Sequence, residues 1–203
     1  MRRSIRTLVA GSACAVLITA CGTDEADDGG TADAWRPDPA VPTEVGPDGF
    51  TPPDAVLSPG DTASVPWLKE GSFDAPDVTG ALEVTVTDDP IAGSMDDLPT
   101  DSPFADEREG TPYYVTFTVK NVGKTSLEGL LVRLTGVDVE GADLDSSALS
   151  ELAECPGGIP LSFAPGESAT ACSVVFVEDA ALAAVGYEGA ADYEDDPALW
   201  DLT

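Results

Sequence analysis

Residues 113–123 read YYVTFTVKNVG, and they decide the fold. Tyr113, Val115, Phe117 and Val119 alternate with Tyr114, Thr116, Thr118 and Lys120. A period of two with β-branched and aromatic residues predicts a strand with one buried face. Asn121-Val122-Gly123 then breaks it with turn chemistry. Tyr113 and Tyr114 should point to opposite faces, one into a core and one outward as a contact residue.

The same alternation recurs on both sides. Leu82, Val84 and Val86 alternate with Glu83, Thr85 and Thr87 upstream, and residues 62–67 read as a first strand or edge segment. Downstream, Leu130, Val132 and Leu134 alternate with Leu131 and Arg133, and Val137 and Val139 extend the run past Gly136. Residues 146–154 suggest a helical turn with Leu149 and Leu152 inward. Residues 159–163 suggest a short strand, followed by an Ala164-Pro165-Gly166-Glu167 turn. Cys172, Val174 and Phe176 alternate with Ser173, Val175 and Val177, and residues 183–187 and 199–202 close the series. About seven strands with regular turns predict an all-β fold of two antiparallel sheets packed face to face. No long helical pattern exists to cover a parallel sheet.

The chain begins differently. Arg2, Arg3 and Arg6 precede an uncharged apolar run at 8–20. The run falls short of the roughly 20 residues of a membrane span and reads as an export signal, residues 1–20. It ends Ile18-Thr19-Ala20-Cys21-Gly22. That resembles the lipobox of bacterial lipoproteins, and the resemblance implies that Cys21 carries a diacylglycerol and becomes the mature N-terminus. Residues 21–57 then read as a disordered tether: between 22 and 57 lie nine acids, six prolines and one base, Arg36, with no apolar period. As flexible coil this segment would span ~35 Å. The remaining 58–203 is the expected domain.

Four cysteines are present: Cys14 leaves with the leader and Cys21 is taken by lipid. Cys155 and Cys172 remain, in a chain exported to an oxidising compartment, which suggests one disulfide. Two buried free thiols and a redox pair are the competing readings.

The run 113–123 with the later Pro-Gly-Glu turn, the strand from Cys172, and the closing aromatics Tyr187 and Trp200 resembles the immunoglobulin-like domain of unknown function in Gram-positive and actinobacterial surface lipoproteins. The resemblance implies an extracytoplasmic β-sandwich without enzymatic activity. The long acidic stretches at 88–111 and 141–158 depart from it.

Charge narrows the chemistry. The chain has 38 acids, 9 bases and no histidine, for a formal net charge of −29, which becomes −32 once the three leader arginines are removed. That balance argues against phosphate-backbone binding, so no nucleic acid is expected. Without histidine there is no Ser-His-Asp or Cys-His catalysis. With 13 aromatics and acids everywhere, no carboxylate pair stands out for glycoside hydrolysis. Asp143, Asp145, Ser147, Glu151 and Glu154 occupy positions 1, 3, 5, 9 and 12 of a calcium-type loop, but Ala148 stands where glycine is needed. Asp143, Asp145 and Glu154 are therefore the candidate ligands of a weak calcium site. Asp88 with Asp89, Asp96 with Asp97, and Glu194-Asp195-Asp196 are further acidic groups.

The expectation is a non-catalytic lipoprotein on the outer face of the cell membrane. It would act as a non-catalytic binding or envelope-interaction module, without a cofactor; the sequence does not name its partner, for which an envelope protein and a cation are the candidates. The alternative is a cation or small-ligand binder using loops 88–111 and 141–158.

Overall fold

The computed structural model describes residues 46, 48–70, 77–87, 89–98, 110–147, 152–178, 180–189 and 191–203. The leader, Cys21 and most of the expected tether lie outside the described residues, as do Leu149, Glu151 and 99–109. The strands are β1 (Val56–Leu57), β2 (Thr62–Lys69), β3 (Val78–Val86), β4 (Ile91–Ala92), β5 (Thr111–Asn121), β6 (Leu127–Glu128) and β7 (Leu134–Asp138). They continue with β8 (Asp143–Leu144), β9 (Ser146–Ser147), β10 (Ser162–Phe163), β11 (Ser168–Val177), β12 (Leu182–Tyr187) and β13 (Ala198–Asp201). Two short 3-10 turns, Met95–Asp97 and Ala191–Tyr193, are the only helical pieces among the described residues.

One main sheet runs β2-β3-β5-β11-β9, and the other runs β1-β13-β12-β7-β8. All pairings are antiparallel except β1 with β13. The chain passes from β5 to β7, from β8 to β9 and from β11 to β12 by changing sheets. With β3, β5, β11 and β9 as strands A, B, E and D, and β13, β12 and β7 as G, F and C, this is the immunoglobulin-like order. The β2 strand is an addition at the edge.

The core lies between the sheets. Val65, Leu82, Val84, Phe117, Val119 and Val175 from the first sheet meet Leu134, Val185, Tyr187, Ala198 and Trp200 from the second. Trp200 is completely buried, and its indole N–H donates to the Asp61 carbonyl at 3.0 Å. Immunoglobulin domains of antibodies clamp the two sheets with a disulfide. Here a polar contact crosses the interior instead: the Leu134 N–H donates to the buried Ser173 hydroxyl at 2.9 Å. Gly136 lets the layers meet, because a Cβ there would lie 2.4 Å from Val175 Cγ1.

A second apolar cluster sits on the outer face of the β11 sheet. Cys172, Val174 and Phe176 pack there with Tyr114, Leu98, Leu152 and Cys155. Residues 172–177 are consequently buried on both faces. The two tyrosines depart from the expected in-and-out pair. Tyr113 is half-buried against the main core, and Tyr114, on the opposite face, is buried under the 93–98 segment.

The domain also begins earlier than residue 58. Thr51, Ala55 and Leu57 are buried, and β1 pairs with β13, so 51–57 belong to the sandwich rather than to the tether. Thr51 is held by three bonds. Its N–H donates to Ser64 O at 2.7 Å, its hydroxyl accepts the Ser64 N–H at 2.9 Å, and its carbonyl accepts the Tyr193 hydroxyl. These contacts occupy the outer edge of β2. Pro66 on the same edge has no N–H, and its carbonyl accepts the Tyr187 hydroxyl at 2.8 Å. Edge strands left open would recruit other chains.

The turn that ends β5 is organised by Asn121, which is completely buried. Its amide donates to Thr125 O and Phe163 O, both at 2.9 Å, and its carbonyl oxygen accepts the Gly123 N–H at 2.9 Å. Its backbone carbonyl takes the Gly166 N–H at 2.7 Å, and its N–H donates to Glu167 O at 3.0 Å. Gly166, at φ 81°, occupies the position of a type II turn that only glycine adopts without strain, and the Glu167 N–H closes that turn onto Ala164 O. One carboxamide thus joins the Asn-Val-Gly turn to the Pro-Gly-Glu turn.

Replacing Asn121 with leucine keeps the volume and removes all three side-chain bonds, leaving the buried Phe163 carbonyl without this donor. The expected cost is about 2–4 kcal/mol, read as a lowered denaturant midpoint with an unchanged slope.

Candidate functional site

Two surface troughs lie on the second sheet and its flanks. One trough, about 330 Å³, is lined by Arg133, Thr135, Asp143, Leu144, Asp145, Ser146, Glu188, Glu194, Asp195 and Pro197. A second, about 340 Å³, is lined by Trp67, Leu68, Glu70, Leu131, Val132, Arg133, Tyr187, Glu188, Gly189 and Glu194. Arg133, Glu188 and Glu194 belong to both, so the two troughs meet. Three parts of the chain build them: the end of β2, the extended approach to β7 with the β7–β8 hairpin, and the 188–197 segment that joins β12 to β13.

The two ends differ in chemistry. At the first, five carboxylates surround one guanidinium; Arg133 and Glu188 approach to 3.8 Å with both side chains well exposed. Such a solvated pair contributes little to stability and can exchange partners. At the second, Leu68 and Leu131 are 40% and 67% exposed beside the nearly buried Trp67. The floor there is rigid. Tyr187 is 2% exposed, donates to Pro66 O, and meets the Tyr193 ring edge-on at 6.3 Å. Burial, then the neighbouring Tyr193, pushes the Tyr187 hydroxyl well above the ordinary phenol range. Burial also raises Tyr193, assisted by Asp48 and Asp192.

The expected calcium loop is not assembled. Asp143 lies in β8 and Asp145 just after it; both are exposed and line the first trough. Glu154 adjoins Cys155 on the other sheet, where, after burial and Asp97, it is among the causes that raise the Tyr114 hydroxyl. Asp143 thus sits in the sheet of β7 and β12, whereas Glu154 adjoins the bridge to β11 in the opposite sheet. Among the described residues no group of three or more acidic, histidine or cysteine side chains could hold a metal ion. Of the acidic groups singled out in the sequence, Glu194 and Asp195 reach the troughs. Arg133, Glu188, Leu68 and Leu131 carried no local signal of a site, because they come from segments scattered along the chain.

Cys155 and Cys172, 17 positions apart in sequence, are bonded, with Cα atoms 5.4 Å apart. Both are almost wholly buried. This is the expected bridge, and it excludes the free-thiol reading in this structure. The bridge ties the loop before β10 to β11. The Tyr114 hydroxyl beneath the same cluster is buried without a hydrogen-bond partner among the described residues. No described helix is long and apolar enough to cross a membrane.

No family model matches this chain, and no curated protein matches it. Among solved structures it is similar to MPT63, a secreted protein from Mycobacterium tuberculosis, with a TM-score of 0.47 at 14% identity, covering 72% of this chain and 95% of that one.

Two outcomes are expected. Because the folded chain holds Tyr187 and Tyr193 protonated to higher pH than the unfolded chain does, the unfolded state loses these protons first above about pH 10. Their contribution to stability is intact below that pH and declines above it. Denaturant midpoints followed into alkali should fall, and Tyr187→Phe should make the fall shallower. Separately, Cys155→Ala with Cys172→Ala should cost about 2–4 kcal/mol in chemical denaturation, since the bridge closes a loop of intermediate length.

Proposed function

We propose that this chain is a lipid-anchored, extracytoplasmic binding module: Cys21 holds it to the outer face of the cell membrane, and the sandwich is displayed beyond it without catalytic activity. The observation that carries this reading is the Cys155–Cys172 bridge. Such bridges persist in oxidising, exported settings. With Cys14 inside the leader, the bridge leaves Cys21 as the one cysteine of the processed chain not needed elsewhere. Two acyl chains give stable attachment where one does not, at about 0.8 kcal/mol per buried methylene. The segment ahead of the sandwich spaces it from the head groups, and the joined troughs provide its contact surface.

The absence of histidine supports a role in binding rather than catalysis. The trough carboxylates and Arg133 suit recognition of charge. A dense negative charge also keeps the domain soluble and clear of like-charged surfaces.

In the native host, Cys21→Ala should move the protein from the detergent phase to the aqueous phase on phase separation. An altered protein that still enters detergent as the parent does overturns the anchor. Intact mass of the mature parent should begin at residue 21 with added lipid.

A further inference from the structure

We propose that the joined troughs bind an extended segment of a partner protein that carries lysine or arginine at one end and an apolar side chain at the other. This deepens the reading of the chain as a binding module and rests on it. Charge complementarity selects the occupant. The β8 end presents Asp143, Asp145 and Asp195; among the described residues Arg133 is the one cation lining it, and Arg133 has a carboxylate partner in Glu188. A cationic side chain entering there meets more carboxylates than the one guanidinium among the described lining residues can pair with. The β2 end presents Leu68 and Leu131, both substantially exposed, against Trp67. Burying an apolar side chain on that surface removes area from water that the folded chain leaves open.

Shape agrees with an extended peptide. Each trough is at the lower end of the volume that encloses a small molecule. They adjoin at Arg133, Glu188 and Glu194, which line both, and this suits a chain lying across the two. Trp67 and Tyr187 hold the floor, so little ordering is required of this protein on binding.

The test uses the full chain in zwitterionic detergent and a short fluorophore-labelled peptide with leucines at one end and lysines at the other. Protein-free micelles serve as the blank. Anisotropy should show saturable binding, and peptides with serine in place of leucine, or glutamate in place of lysine, should bind at least about fivefold more weakly. Asp195→Lys and Leu131→Ser should each weaken binding about fivefold. Glu83→Lys makes the same charge change on the outer face of the other sheet, and it should alter binding by less than about twofold. Equal losses from Asp195→Lys and Glu83→Lys would mean diffuse attraction to net charge and would overturn the proposal, as would an unaffected Leu131→Ser or no saturable binding. Leu68→Ser gives a second reading of the apolar end if Leu131→Ser fails to fold. None of these results depends on the phase partition of Cys21→Ala, so the anchor and the groove fail separately.

Discussion

Two-sided burial of β11 is the constraint on which the other parts of the fold rest. Ala171, Ser173, Val175 and Val177 face the second sheet, while Cys172, Val174 and Phe176 face away from it. An outward apolar face on a sandwich strand has to be covered or it becomes a sticky patch. The cover comes from pieces with little structure of their own: the 93–98 segment and the residues around Leu152 and Cys155. Such pieces would not stay in place through packing alone. The bridge to Cys172 keeps one of them there, and β4 pairing with β5 keeps the other. The disulfide therefore works at a place different from the inter-sheet bridge of antibody domains. The space between the sheets is held by packing and by the Ser173–Leu134 contact instead.

Polar groups then fix the ends. Asn121 ties two turns that are 42 positions apart through the bond to Phe163 O, and every bond it makes is to backbone. A buried carboxamide so placed is specific, since any residue without both donors and acceptor leaves main-chain groups unsatisfied. This gives the Asn-x-Gly pattern a physical meaning beyond turn propensity. It also explains why the Pro-Gly-Glu turn accompanies it in sequence.

Much of the sandwich is readable as alternation, because one face of each long strand meets the core. The readable cases are β3, β5, β11 and the β12–β13 pair. The failures share a cause: alternation records burial, not pairing. Leu130, Val132 and Leu134 are buried at every second position as expected, yet the ladder begins only at Leu134. The approach to it crosses from one sheet to the other. Tyr114 breaks the expected pattern in the opposite way, because its strand is covered on both faces. The 51–57 segment has single buried residues and a two-residue strand, too little for any period to register. The troughs were less legible still. Their acids are visible as residues, but only the folded chain brings Arg133 to Glu188 and Leu131 to Trp67. The spacing that suggested a calcium loop lost its meaning once β8 and β9 were extended and Glu154 followed the disulfide to the other sheet.

The three bonds on Thr51 have a mechanical consequence. Any pull transmitted along the chain from ahead of residue 49 meets β2 at Gly49 and Thr51, both bonded to Ser64, with Thr51 bonded to Tyr193 as well. Behind it, the parallel β1–β13 pair must be stripped before force reaches the central strands. The junction therefore couples the start of the domain to the trough wall: a tug on the first few residues is felt at Tyr193 and Asp196, in the segment that also carries Glu194 and Asp195.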